Sequence, residues 1–158
     1  MKKSLFVSLL CLISACTTLT GHERLVLRDL KSDGISVENP TGMWEKPASP
    51  LLAGVLNLLP GFGNFYLGMG NAADGSQSIY GVVNLLLWPF SPIWGIPQAV
   101  IDAKTINERD LVFYYEHTTD GQDEWLERQE ETSSKEKMER KKRSQRKERR
   151  KKMIEDLD

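Results

Sequence analysis

The sequence predicts a mainly α protein: an apolar helical hairpin with broken helices, then a long charged C-terminal helix, with a short irregular or β-like segment before them. Three observations carry this prediction. Between Lys46 and Asp102 the one charged residue is Asp74, whereas a soluble domain carries about a quarter charged residues. Pro60, Gly61 and Gly63 interrupt the first half of that region, and Pro89, Pro92 and Pro97 the second. Beyond Asp102 the charge returns in helix-forming residues, with twelve basic and three acidic side chains from Lys135 to Lys152.

The chain start, "MKKSLFVSLLCLISAC", has the layout of an export signal. Lys2 and Lys3 form a positive n-region, Leu5 to Ile13 an apolar h-region, and Ser14 and Ala15 supply small residues before a cleavage point. The apolar run is too short for a span, which needs roughly 20 apolar residues. Ile13-Ser14-Ala15-Cys16 resembles the lipobox of bacterial lipoproteins. That resemblance implies that residues 1–15 are a signal peptide and that Cys16 becomes the acylated first residue. Thr17 in the next position, where Asp would favour inner-membrane retention, implies the outer membrane, facing the periplasm; the inner membrane is the alternative. Cys11 leaves with the signal and Cys16 takes the lipid, so no thiol remains for a disulfide, zinc or redox site. More than one acyl chain anchors stably, at ~0.8 kcal/mol per buried CH₂.

Residues 16–49 read as a polar N-terminal segment. "RLVLRDL" and "GISVENP" show short β-like alternation, and "NPTGMWEKPASP" reads as a linker. Residues 50–104 form the predicted hairpin. Each charge-free half is long enough to reach across or deep into a bilayer, so a transmembrane hairpin is expected, broken or re-entrant at its prolines and glycines. Such breaks are tolerated in lipid only where neighbours re-satisfy the freed backbone groups. Gly54, Gly81 and Gly95 allow close helix contact, and Asn57 and Asn84 can hydrogen-bond between helices. Phe65, Tyr66, Trp88 and Trp94 suit a membrane–water interface. Asp74 and Asp102 flank the second half, and both are expected at segment ends where water is available. A compact core of mutually packed apolar helices is the competing reading.

"PGFGNFYLG", then a polar turn, an apolar helix and "IWGIPQAVID", resembles the TM-two domain family across roughly residues 50–104. Pro60, Gly61, Gly63, Phe65, Tyr66 and Gly68 carry the Gly-rich Phe-Tyr-x-Gly signature, and Trp94 and Asp102 the closing part. The resemblance implies two membrane helices joined through that segment, and no reaction. Family members often place a His before the Phe-Tyr where this chain has Asn64, and the prolines of the second helix also depart from the pattern. Phosphate binding by the glycines is disfavoured, because no Lys, Arg or capping Ser/Thr lies in the loop.

Residues 105–158 read as a charged helical tail. Its apolar positions are too few for a coiled-coil seam. Arg140, Lys141, Lys142, Arg143, Arg146, Lys147, Arg149 and Arg150 form a basic stretch suited to anionic lipid, lipopolysaccharide or cell-wall groups. A merely solvated helix explains it equally well. Nucleic acid gives a similar electrostatic signature, but the stretch contains no aromatic to stack on bases. His22 and His117 are far apart, without a second His or Cys at ligand spacing. With no nucleophile elbow, P-loop or metalloprotease motif, the chain is read as a non-catalytic structural or interaction module. It needs no cofactor and no metal, and it sits among membrane lipids, with homo-oligomerisation through the hairpin open. The alternative is a membrane component handling an ion or small molecule through the broken helices and Asp74 or Asp102.

Overall fold

"RLVLRDL" forms a helix, not a strand. In a computed structural model, which describes residues 17–70 and 75–155, this stretch belongs to α1 (Gly21–Ser32). The reason lies just upstream. The Thr20 hydroxyl accepts the Glu23 N–H, and the Glu23 carboxylate accepts the Thr20 N–H, a reciprocal capping box that nucleates the first turn. Val26, Leu27 and Leu30 then fall on one helical face and are buried.

Five further helices follow: α2 (Pro50–Leu56), α3 (Phe62–Met69), α4 (Gly75–Leu86), α5 (Pro92–His117) and α6 (Thr119–Glu155). The described residues are therefore mainly helical and contain no strand, which also corrects the β-like expectation for "GISVENP". Ser49 caps α2 through the Leu52 N–H, with Pro50 at the first helical position. Pro92 likewise opens α5. Predicted prolines thus mark helix starts, while Pro97 lies inside α5.

These breaks overturn the expected transmembrane hairpin. Among the described residues, no helix is long and apolar enough to cross a membrane. The first charge-free half is divided into helices of 7 and 8 residues by the turn at Pro60 and Gly61. The second is divided between α4 and α5 at residues 87–91, and α5 becomes charged beyond Ile101.

α5 is the spine. Its first half joins α2, α3 and α4 in an up-down-up-down unit, in which the α2–α3 and α4–α5 turns lie at the same end. Its second half packs on α1, where Val26, Leu27, Leu30, Ile35 and Trp44 meet Leu111, Val112 and Tyr115. Trp44 Nε1 donates to Asp110 Oδ2 at 2.8 Å, and the Tyr115 hydroxyl donates to the Thr41 carbonyl at 2.9 Å. The predicted linker is thereby fastened down. Thr118 alone separates α5 from α6, and Trp125 Nε1 donates to Asp33 Oδ2 at 2.7 Å. Past that contact α6 leaves the body, and 37 residues give it a length of about 55 Å. Its exposed Glu–Lys/Arg pairs four apart, such as Glu136–Arg140 and Glu139–Arg143, each add about 0.3 kcal/mol to the helix.

Leu30→Ala is expected to cost about 3 kcal/mol, since Leu30 is fully buried in the α1–α5 contact. Urea unfolding should show a lower midpoint at an unchanged slope.

Candidate functional site

The four-helix unit buries a set of amide side chains beside a small apolar cluster that includes Ala53, Leu67 and Ala99, and it exposes most of its large apolar side chains. On α4 the buried face consists of Gln77, Gly81 and Asn84, while Ile79, Val82, Leu85 and Leu86 point outward. α3 buries Gly63, Asn64 and Leu67. In a water-soluble helix the order is the reverse, with the apolar stripe facing the core.

The buried amides form one connected network. Asn64, with no exposed surface, is its hub. Its Oδ1 accepts from Asn57 Nδ2 at 3.2 Å and from Asn84 Nδ2 at 2.9 Å, and its Nδ2 donates to Gln77 Oε1 at 2.9 Å. Asn57 Nδ2 also donates to the Gly95 carbonyl, which ties α2 to α5. Asn84 Oδ1 accepts from Trp94 Nε1 at 3.0 Å. Gln77 Nε2 donates to Thr17 Oγ1 at 2.8 Å, and Thr17 N–H donates to Asp102 Oδ1 at 2.9 Å. A buried amide without partners costs roughly 2–7 kcal/mol, so the bonds among these amides are what make their burial tolerable.

The same network repairs the broken helix. α3 begins at Gly61, whose φ of 84° is left-handed and which offers no side-chain cap. Asn57 Oδ1 supplies the missing acceptor, taking the N–H of Gly61 at 3.0 Å and of Gly63 at 3.2 Å. A Cβ at Gly61 would lie 2.1 Å from the Gly81 carbonyl oxygen, and one at Gly63 would lie 2.1 Å from the Ala53 carbonyl oxygen. The signature glycines are therefore packing devices that bring α3 against α2 and α4.

The other predicted residues divide as follows. Pro60 is buried in the turn, Phe65 packs over Gly81, and Gly68 faces Ser78. The Tyr66 hydroxyl accepts the Ser49 N–H at 3.0 Å, at the end of the unit away from the turns. Asp102 is fully buried, not solvated at a segment end as expected, because Thr17 folds back over it. Asn107 grips the linker nearby, accepting from Ala48 N at 2.9 Å and donating to Ala48 O at 2.8 Å. Asn57 and Asn84 do link helices, both through Asn64 and directly to α5 at Gly95 and Trp94. His22 pairs with Glu116 at 2.8 Å, and His117 stacks on Phe113. The eight basic residues from Arg140 to Arg150 are all exposed along α6. Cys16 and Asp74 lie outside the described residues.

Outside this polar core the surface is apolar. The two turns carry Leu58, Leu59 and Phe62 on one side and Leu86, Trp88 and Phe90 on the other, with exposures from 49% to 77%. Contiguous apolar surface of this kind marks an interaction site. No family model, curated protein or solved structure matches the chain. The likeness to the TM-two family therefore rests on its motif residues alone.

Asn64→Leu removes both donor and acceptor from the hub and strands Asn57, Asn84 and Gln77. The expected loss is about 3–5 kcal/mol, read as a large fall in thermal midpoint in detergent. Leu85→Ala on the outer face of α4 should shift that midpoint far less.

Proposed function

We propose that this chain is a lipid-anchored bacterial envelope protein, a non-catalytic structural or interaction module whose four-helix unit sits in one membrane leaflet without crossing it. The observation that carries this reading is the inversion of the unit, with amides inside and Leu, Ile, Phe and Trp outside. Water would penalise that surface, whereas acyl chains would not, and acyl chains demand the internally satisfied backbone that Asn57 provides.

The dimensions agree. From Pro92 to Asp102 α5 rises about 15 Å, the hydrocarbon depth of one leaflet, half of roughly 30 Å. Lys46 and Asp102, which bound the charge-free region, belong to the end opposite the two apolar turns. The turns would then point toward the bilayer centre while α1, the second half of α5 and α6 stay at the surface. The lipobox likeness and Thr17 support the periplasmic face of the outer membrane. The inner membrane remains the alternative address. The basic stretch of α6 suits anionic lipid, lipopolysaccharide or cell-wall groups, at ~1 kcal/mol per basic residue near an anionic surface. The competing ion-handling reading loses one support, because Asp102 is engaged by the Thr17 amide.

Membrane fractionation tests the leaflet. Cys16→Ser alone should leave most of the protein on membranes through a high-salt wash, and adding Leu59→Glu and Phe90→Glu should release it to the periplasm. A Cys16→Ser protein found wholly in the soluble fraction, or released as a soluble oligomer with its apolar shell covered by a second copy, would sink the proposal.

Replacing Arg140, Lys141, Lys142 and Arg143 by Gln tests the tail. Affinity for vesicles containing anionic lipid should drop on the order of a hundredfold or more at low salt. The difference should vanish near 1 M salt, where the screening length is about 3 Å.

A further inference from the structure

The start of the described chain is not a tether. Thr17 is 9% exposed, with its N–H on Asp102 Oδ1 and its hydroxyl on Gln77 Nε2. The Thr18 carbonyl accepts from Arg109 Nη2 at 2.9 Å, and Thr20 caps α1. These contacts hold the segment from Thr17 to the first helix against the body. Asp102 lies at the level where charge returns to the sequence, so the chain is fastened at the base of the apolar unit.

We propose that Asp102 and Gln77 form a seat for the residue that follows the acylated cysteine, so that the lipid is joined to the folded unit with no linker. This inference rests on the lipid-anchor reading above. Consecutive Cα atoms are 3.8 Å apart across a trans peptide, so whatever is attached to residue 16 starts within one residue of the seat. The acyl chains therefore run beside the exposed faces of the apolar helices from base toward turns, and the unit cannot swing away from the leaflet. The seat also gives the buried carboxylate a purpose. A buried charge is costly without a hydrogen-bonding partner, and an apolar residue at position 102 would pack but could not hold an amide N–H. Asp102 and Gln77 are positioning residues that act on the lipid through Thr17.

The test uses the full chain, made with its signal in a Gram-negative host, purified from membranes and examined by mass spectrometry and amide hydrogen exchange. Wild type should carry the acyl mass on the peptide beginning at Cys16, with exchange over residues 17–20 slowed at least tenfold against an unstructured peptide. Thr17→Ser, which keeps the N–H and the hydroxyl, should match it. Thr17→Pro, which removes both the N–H and the hydroxyl from the seat, and Asp102→Ala should each speed that exchange about tenfold, with residues 106–115 unchanged. Acylated wild type that exchanges at the unstructured rate, or a Thr17→Pro protein indistinguishable from Thr17→Ser, overturns the seat and leaves the lipoprotein reading standing. A protected segment on a chain without acyl mass overturns the lipoprotein reading, and the linkerless attachment with it.

Discussion

Asn64 has to satisfy both ends of its amide where no water reaches, and the apolar unit is arranged around that demand. Its oxygen takes two N–H groups, from α2's end and from α4, and its nitrogen gives one to Gln77. Each of those partners carries a second obligation that ties in another element. Asn57 closes the turn into α3 and reaches α5, Asn84 holds Trp94, and Gln77 holds Thr17. Four short helices are thus specified relative to one another by hydrogen-bond direction more than by shape. In the proposed leaflet this would be the stronger device, because dispersion between Leu side chains and lipid tails is no weaker than between helices.

α5 joins two environments within one helix. Its first half presents Gly95 and Ala99, small residues that let α2 and the amides come close. Its second half presents Leu111, Val112 and Tyr115 to an ordinary hydrophobic core with α1. Asp102 and Asn107 stand at the change of environment, and both are used to hold incoming chain, Thr17 and Ala48 respectively. The boundary is therefore a set of fastenings as well as a change in polarity.

Much of this was legible in the sequence, and the misses have physical causes. The charge-free region and its breaks at Pro60 and Pro92 are read directly from residue chemistry. The expected hairpin fails because its breaks go further than a kink or re-entry: a left-handed Gly61 and the turn at residues 87–91 reverse the chain direction. "RLVLRDL" was read by alternation, although Val26, Leu27 and Leu30 fit a helical face and Thr20-x-x-Glu23 is a capping-box signature. Asn57 and Asn84 were recognisable as interhelical donors, but the hub and Gln77 were not. The available signal was the seven-residue spacing of Gln77 and Asn84, two turns of one helix, which puts both amides on one face of α4. Burial of Asp102 could not be read from its neighbours, because the partner, Thr17, lies 85 residues away.

The motif "PGFGNFYLG" takes on a different meaning once the partners of each residue are known. Its glycines are required by backbone approach, and its Asn is required by the helices around it. Its Phe and Tyr close the packing on α4 and on the start of α2. A turn that must exist without water needs an acceptor for its first N–H groups. Placing Asn57 one turn earlier supplies that acceptor from within the chain. The same requirement explains why the helices can be so short. A helix of seven or eight residues is unstable alone, yet here the start of α3 is capped by Asn57, whose amide also binds Asn64 and the Gly95 carbonyl. Capping and tertiary packing are one set of bonds, so removing either removes both.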